Sequence, residues 1–193
     1  GTYNGGITIT RSGTEANPIF IRGQSQDNAV INANTAEAGI TISSAYVTVE
    51  NVTIKGSNSN QWGIILDSTN NAVIRNVKIN NVYYGINGKG GTNRNYYVCD
   101  NILEGKGAVW PKTDSSVWDY EGIVLTGSGH VVCHNRLSGF GDAMGLNQNT
   151  DIPNRADDFY RNYIVWTGDN AIEFDYGERN IRAYENRFTN AGN

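Results

Sequence analysis

Two carboxylates stand two places apart in the run DNAIEFDYGERN, residues 169 to 180, where Glu173 and Asp175 alternate with Ile172 and Phe174. On a strand this alternation sends the two apolar side chains to one face and both acids to the other, with the Cα atoms of the acids ~6.7 Å apart. Paired carboxylates at that reach can divide acid and base roles across a glycosidic bond. Retaining hydrolysis needs them about 5 Å apart, and inverting hydrolysis ~6.5–9.5 Å. Asp142 precedes a similar apolar alternation at Ala143 to Leu146. Elimination next to a uronic acid would instead need a base of the Lys, Arg, His or Tyr type and neutralisation of the substrate carboxylate. Lys89 and Arg155 supply cations for that route, and Glu173, Asp175 and Asp142 form an oxygen set suited to Ca²⁺. No cofactor is certain from these residues. With several acids and one lysine among the candidates, hydrolysis is favoured slightly over elimination.

The elements that must position these groups repeat along the chain. GITISSAYVTVENVTIKG (39–56), GIILDSTNNAVIRNVKIN (63–80), GIVLTGSGHVVCHNRLSG (122–139) and AIEFDYGERNIRAYENRFTN (171–190) superimpose on one template, as does the run from Gly85 to Gly105. The template is Gly or Ala, two apolar residues separated by one, a polar turn, a second short strand, an Asn, and a third strand. Asn51, Asn76, Asn101, Asn135, Asn162 and Asn186 recur at intervals of 25, 25, 34, 27 and 24 residues. Strands this short cannot bury a face alone, but coil stacked on coil makes three parallel sheets with strands ~4.8 Å apart. Asn at the bend tolerates a left-handed backbone and bonds the amides of neighbouring coils. An apolar fraction of 38% with 23 Gly and only 18% charged residues agrees with an all-β chain of short strands and many turns. Its 193 residues are consistent with a single domain over 1–193.

That template resembles the right-handed parallel β-helix of the pectin-lyase-like superfamily, over nearly all residues from Gly6 to Asn190. The resemblance implies about seven coils, three parallel sheets, a polysaccharide partner, and a protein that is secreted or at the cell surface. It is weak for any one activity, because many chemistries share the scaffold. GDAMGLN followed one coil later by DNAIEFD looks faintly like the alginate-lyase and chondroitinase B type, in which a catalytic Lys follows; here no Lys occurs after Lys112. Polygalacturonase motifs do not match in order or spacing, and the chain more nearly resembles uncharacterised secreted bacterial β-helix repeat proteins. A non-catalytic polysaccharide-binding or structural solenoid, such as an adhesin segment, is the rival reading. Neither terminal coil carries an evident capping element in the sequence, so the expectation is a fragment of a longer solenoid or a chain that associates end to end.

The template assigns sides. Thr41, Ile65, Asn87, Val124, Gly145 and Glu173 form one outward ladder on the first strands; Ser43, Asp67, Lys89, Thr126, Asn147 and Asp175 form the next. Trp62, Tyr84, Glu121, Asp142 and Asn170 come just before them. Insertions at 106–121 and 147–158 flank this face and would wall a groove, with Trp110 and Trp118 on the wall and Glu121, Asp142, Asn147, Glu173 and Asp175 on the floor. Outward acids on a solenoid also serve simply to keep it soluble, and Asp67 and Glu185 read that way. Asp157 and Asp158 read as turn formers. Cys99 and Cys133 occupy equivalent positions in adjacent coils; side chains pointing the same way fit a bridge poorly, so buried free thiols are expected. His130 and His134 lack clustered partners for a metal. A net charge of −4 gives no footprint for nucleic acid, and no apolar run reaches a membrane-spanning length.

Overall fold

A computed structural model describes residues 1–56, 61–106, 120–148 and 151–192. The chain winds through the same three strands in each turn, making a parallel β-solenoid of about seven turns with no helix among the described residues. The first sheet stacks Ile7–Ile9, Ala38–Ile42, Trp62–Asp67, Tyr84–Lys89, Glu121–Leu125, Asp142–Leu146 and Ile172–Glu173. A second sheet, also of seven strands, runs from Ile19–Arg22 to Arg182–Tyr184, and a third, of eight, from Thr2–Asn4 to Arg187–Thr189. All pairings are parallel, so neighbouring coils place equivalent residues side by side. One continuous core fills the interior, with Ile40, Ile64, Ile86, Ile123 and Met144 forming a fully buried row in register on the first sheet.

The corners explain the abundance of Asn. At the bend between the second and third strands, the six stacked residues Asn51, Asn76, Asp100, His134, Arg161 and Glu185 all take left-handed φ values, between 51° and 61°. The residue after each faces inward. From Asn101 onward that inner place holds an amide: the backbone N–H groups of Val77, Asn101, Asn135 and Asn162 donate to the Oδ1 of Asn101, Asn135, Asn162 and Asn186, at 2.9–3.0 Å. Each of those four side chains in turn donates from Nδ2 to a carbonyl of the preceding second strand: Ile74, Val98, Val132 and Phe159. The Asn series of the sequence therefore covers two adjacent positions. Asn51 and Asn76 take the left-handed corner, while Val52 and Val77 fill the inner place in the early coils.

The cysteines correct an expectation. Cys99 and Cys133 form a disulfide. Val98 and Val132 point into the core, and the next residue on each strand faces outward, where both cysteines are nonetheless wholly buried. Register pairing of the two parallel strands brings their Cα atoms to 4.6 Å, inside the range a bridge spans even for side chains leaving the sheet on one side.

At the bend between the first and second sheets, His130 and Asp157 are buried in adjacent coils. His130 stacks on Tyr96 at 4.6 Å, accepts the Tyr96 N–H on Nδ1 and donates from Nε2 to Thr126 O at 3.0 Å, the pattern of a neutral imidazole. Burial pushes its pKa down to about 4. Asp157 accepts the His130 N–H on Oδ1 at 2.8 Å, and burial pushes this carboxyl up to about 7.

Two predictions follow from these stacks. Asn135→Ala strands the Asn101 N–H and the Val98 carbonyl in the core and should lower unfolding free energy by about 3 kcal/mol; Asn76→Ala at an exposed corner should cost about 1 kcal/mol, from the left-handed backbone and two solvent-exposed side-chain bonds, with Gln26 and Asn51, that leave no buried group unpaired. Equal losses in denaturant titrations would contradict the assignment of the two positions. The buried pair gives opposing pH dependences. The folded-state pKa of Asp157 lies above its ordinary 3.8, so its contribution is lost as pH rises from about 4 to about 7. That of His130 lies below its ordinary 6.5, so its contribution is lost as pH falls from about 6.5 to about 4. Asp157→Asn should leave only the histidine's dependence and make stability fall more steeply on acidification than in the wild type; parallel pH–stability curves would refute this.

Candidate functional site

The outer face of the first sheet carries the candidate residues because strand register places them there. Thr41, Ile65, Asn87 and Val124 follow one another strand by strand, and Gly145 and Glu173 extend the row. Lys89 pairs with Asp67, and Glu121 with Asp142. At the start of the strands Trp62 pairs with Tyr84, and their rings stack at 4.8 Å with an interplanar angle of 18°. Tyr120 meets Tyr84 edge-on at 6.4 Å, extending the aromatic surface by one coil.

These groups enclose an open depression of about 430 Å³, lined by Trp62, Tyr84, Asn87, Lys89, Glu121, Thr126, Asn147 and Gln148. The Lys89 ammonium sits 3.8 Å from the centre of the Trp62 ring and 3.6 Å from the Glu37 carboxylate, so the side chain lies against an aromatic wall. Asn87 Nδ2 donates to Glu121 Oε2 at 3.0 Å, which orients that carboxylate. Thr126 and Asn147 stand at the strand ends, where the Asn147 N–H bonds Leu125 O at 2.8 Å.

In the C-terminal coils the first-sheet strands carry further acids, Asp142 and Glu173. Asp142 Oδ1 accepts the Asn170 N–H at 2.9 Å. Glu173 is half-buried, and its carboxyl is pushed up from the usual 4.5, first by burial and then by the charges of Asp142, Asp175 and Asp169. Gly145 precedes Glu173 on the outward row; a Cβ there would meet Glu173 O at 2.9 Å, so the absent side chain permits the close approach of the two strands.

The structure rearranges part of the expected constellation. The strand stops at Glu173, because Gly177 N–H bonds Phe174 O at 2.9 Å and turns the chain, so Asp175 is an exposed turn residue and the two acids are not alternate members of one strand. Asp175 borders a second, smaller hollow of about 270 Å³ with Asn154, Tyr176 and Glu178, and Gln148 lines both hollows. Arg155 is on a different surface. It belongs to the row Asn70, Arg94, Ser128, Arg155 and Arg179 at the bend toward the second sheet, and lines neither hollow. Trp110 and Trp118 fall outside the described residues. Among the described residues, no three His, Cys, Asp or Glu side chains converge as a metal site. Trp62, Tyr84 and Gln148 as lining were not singled out from sequence, although the pairing of Trp62 with Tyr84 one coil later was a readable signal.

No protein-family model matches this chain, and no curated protein does. Among solved structures, the crystal structure of alginate lyase from Paenibacillus sp. str. FPU-7 is similar at 15% identity and a TM-score of 0.48, covering 100% of this chain and 87% of that one. A likeness of that degree says nothing about the chemistry of this chain's site.

If neighbouring acids hold the Glu173 proton, its titration followed by carbon-13 NMR should have a midpoint above 4.5, and Asp142→Asn should move it down. An unmoved midpoint would show that Asp142 does not contribute.

Proposed function

We propose that the outer face of the first sheet binds a polysaccharide and that the protein hydrolyses it. One observation carries this reading: the stacked Trp62 and Tyr84 rings and the polar groups of Asn87, Lys89, Glu121 and Asn147 converge in a single depression on the sheet face along which the register row Asn87, Val124 and Gly145 continues to Glu173. Amphipathic aromatic faces beside carboxylates suit sugar rings, which have an apolar face and a polar rim. Glu173 is the proton donor to the leaving oxygen, since burial and three neighbouring acids favour its protonated form. Asp175, exposed in the following turn, activates the attacking water, and Asp142 holds the proton on Glu173 by its charge. Lys89, Asn87, Glu121 and Asn147 bind the sugar.

Elimination is the less supported route. Lys89 is engaged with Trp62 and Glu37, and Arg155 lies off the groove, so neither is placed as the base. With Asp175 drawn into the turn, the acids proposed as Ca²⁺ ligands do not form a group able to hold a metal among the described residues, and no step is assigned to that ion. The Cys99–Cys133 bridge supports a secreted or surface location, since structural disulfides persist in oxidising compartments. The second reading is a binding or structural solenoid without catalysis. It is favoured by the engagement of Glu121 with Asn87 and of Asp142 with the Asn170 N–H, which ties both acids into the scaffold.

The test is incubation with a panel of plant, algal and animal polysaccharides, with and without Ca²⁺. Hydrolysis predicts new reducing ends without the ultraviolet absorbance of an unsaturated uronate. Glu173→Gln should lower the rate by about 10²–10⁴-fold while polymer binding is retained. No product from any polymer, or a fully active Glu173→Gln protein, would contradict the proposal.

A further inference from the structure

The outer face of the third sheet holds a feature that the groove does not use. Arg136, Tyr163 and Arg187 occupy equivalent outward positions on three successive strands. Their guanidinium carbons lie 5.2 and 5.3 Å from the centre of the Tyr163 ring, reaching it from the strand before and the strand after. Both arginines are exposed, and neither has a carboxylate partner among the described residues. Four other arginines on the solenoid surface are compensated. Arg22 and Arg75 share Glu50, Arg161 pairs with Glu185, and Arg182 grips Asp158 through two bonds. Contact through the ring face uses none of the guanidinium N–H donors, so the tyrosine fixes both side chains while their donors remain available. The result is a rigid, donor-rich strip with two like charges roughly 9.5 Å apart, two strand spacings along the solenoid axis.

We propose that this strip is a second, non-catalytic binding site for an acidic polysaccharide, whose carboxylate or sulfate groups bridge Arg136 and Arg187. Planar guanidinium forks match such oxyanions, and repetition along a polymer matches repetition along the strip. The net charge of −4 disfavours broad negative surfaces such as duplex nucleic acid or an anionic membrane, whereas a single polymer strand need meet only this line. The choice of polymer rests on the polysaccharide reading of the groove; the site itself lies on a different sheet and does not depend on catalysis there.

The experiment is affinity electrophoresis of the full chain through gels containing polygalacturonate, alginate or chondroitin sulfate, with dextran as the neutral control. It is run in the Glu173→Gln background so that the polymer stays intact. Adding Arg136→Gln and Arg187→Gln together should raise the apparent Kd for at least one acidic polymer by about tenfold, leave dextran mobility unchanged, and leave the melting temperature near that of the parent. The paired Lys substitutions, which keep the charge, should restore part of the retardation. In the otherwise wild-type protein, the Gln pair should leave cleavage of short oligosaccharides unaltered. Equal retardation of parent and Gln variant in every acidic gel would overturn the proposal, as would tighter binding to single-stranded DNA or phosphatidylserine vesicles than to any polysaccharide. Loss of retardation in the Gln variant, with no cleavage by the wild type, would refute the catalytic reading of the groove and leave this strip standing.

Discussion

The amide of one buried asparagine, repeated coil after coil, sets the register on which the later coils depend. Asn101, Asn135, Asn162 and Asn186 each accept a backbone N–H from the coil before and return a donor to a second-strand carbonyl, so the corner amides of Val77, Asn101, Asn135 and Asn162 are satisfied inside the stack. A slip of one residue would break every bond of that ladder and turn the core row outward. The left-handed residue immediately before each inner place is the complementary constraint, because it turns the chain sharply enough for a third strand to follow. Together they let three-residue strands, unstable alone, behave as one cooperative stack.

Function on such a scaffold is a matter of which outward rows the register lines up. Trp62 with Tyr84, and Glu121 with Asp142, become neighbours because their strands pair in parallel at those residues. The same rule stacks the tyrosine and two arginines on the third sheet and places the two cysteines 4.6 Å apart. A change in one coil therefore acts mainly on the coils above and below it. Gly145 illustrates the point: its missing side chain affects the environment of Glu173, twenty-eight residues later in sequence and one strand away.

Much of this was legible in the chain. The repeat gave the coil, and apolar alternation correctly divided Ile64, Ile86, Ile123 and Met144 from the outward row of Ile65, Asn87, Val124, Gly145 and Glu173. What sequence could not supply was where a strand stops. Asp175 continues the alternation in sequence, yet a hydrogen bond from Gly177 to Phe174 ends the strand before it. The Asn series spans two places for a related reason: both the left-handed corner and the inner place next to it favour Asn, so the interval of 25 residues is the same from Asn51 to Asn76 and from Asn76 to Asn101 although the series changes place between the last two. The disulfide was missed because pointing in one direction was weighed above Cα separation, which register pairing makes short.

The acidic end of the groove joins two demands that pull against each other. Burying Glu173 and setting it beside Asp142, Asp175 and Asp169 costs stability, and burial first, then those charges, raises its carboxyl. The aromatic pair and Lys89 a few coils earlier would supply the binding that holds a polymer across those acids. The most direct test of this account is a crystal structure of the Glu173→Gln protein with an oligosaccharide that the wild type cleaves. Sugar rings lying along the first sheet, one against Trp62 or Tyr84 and a glycosidic oxygen within hydrogen-bond reach of residue 173, are the predicted result; an oligosaccharide bound on another face, with the first sheet bare, would contradict it.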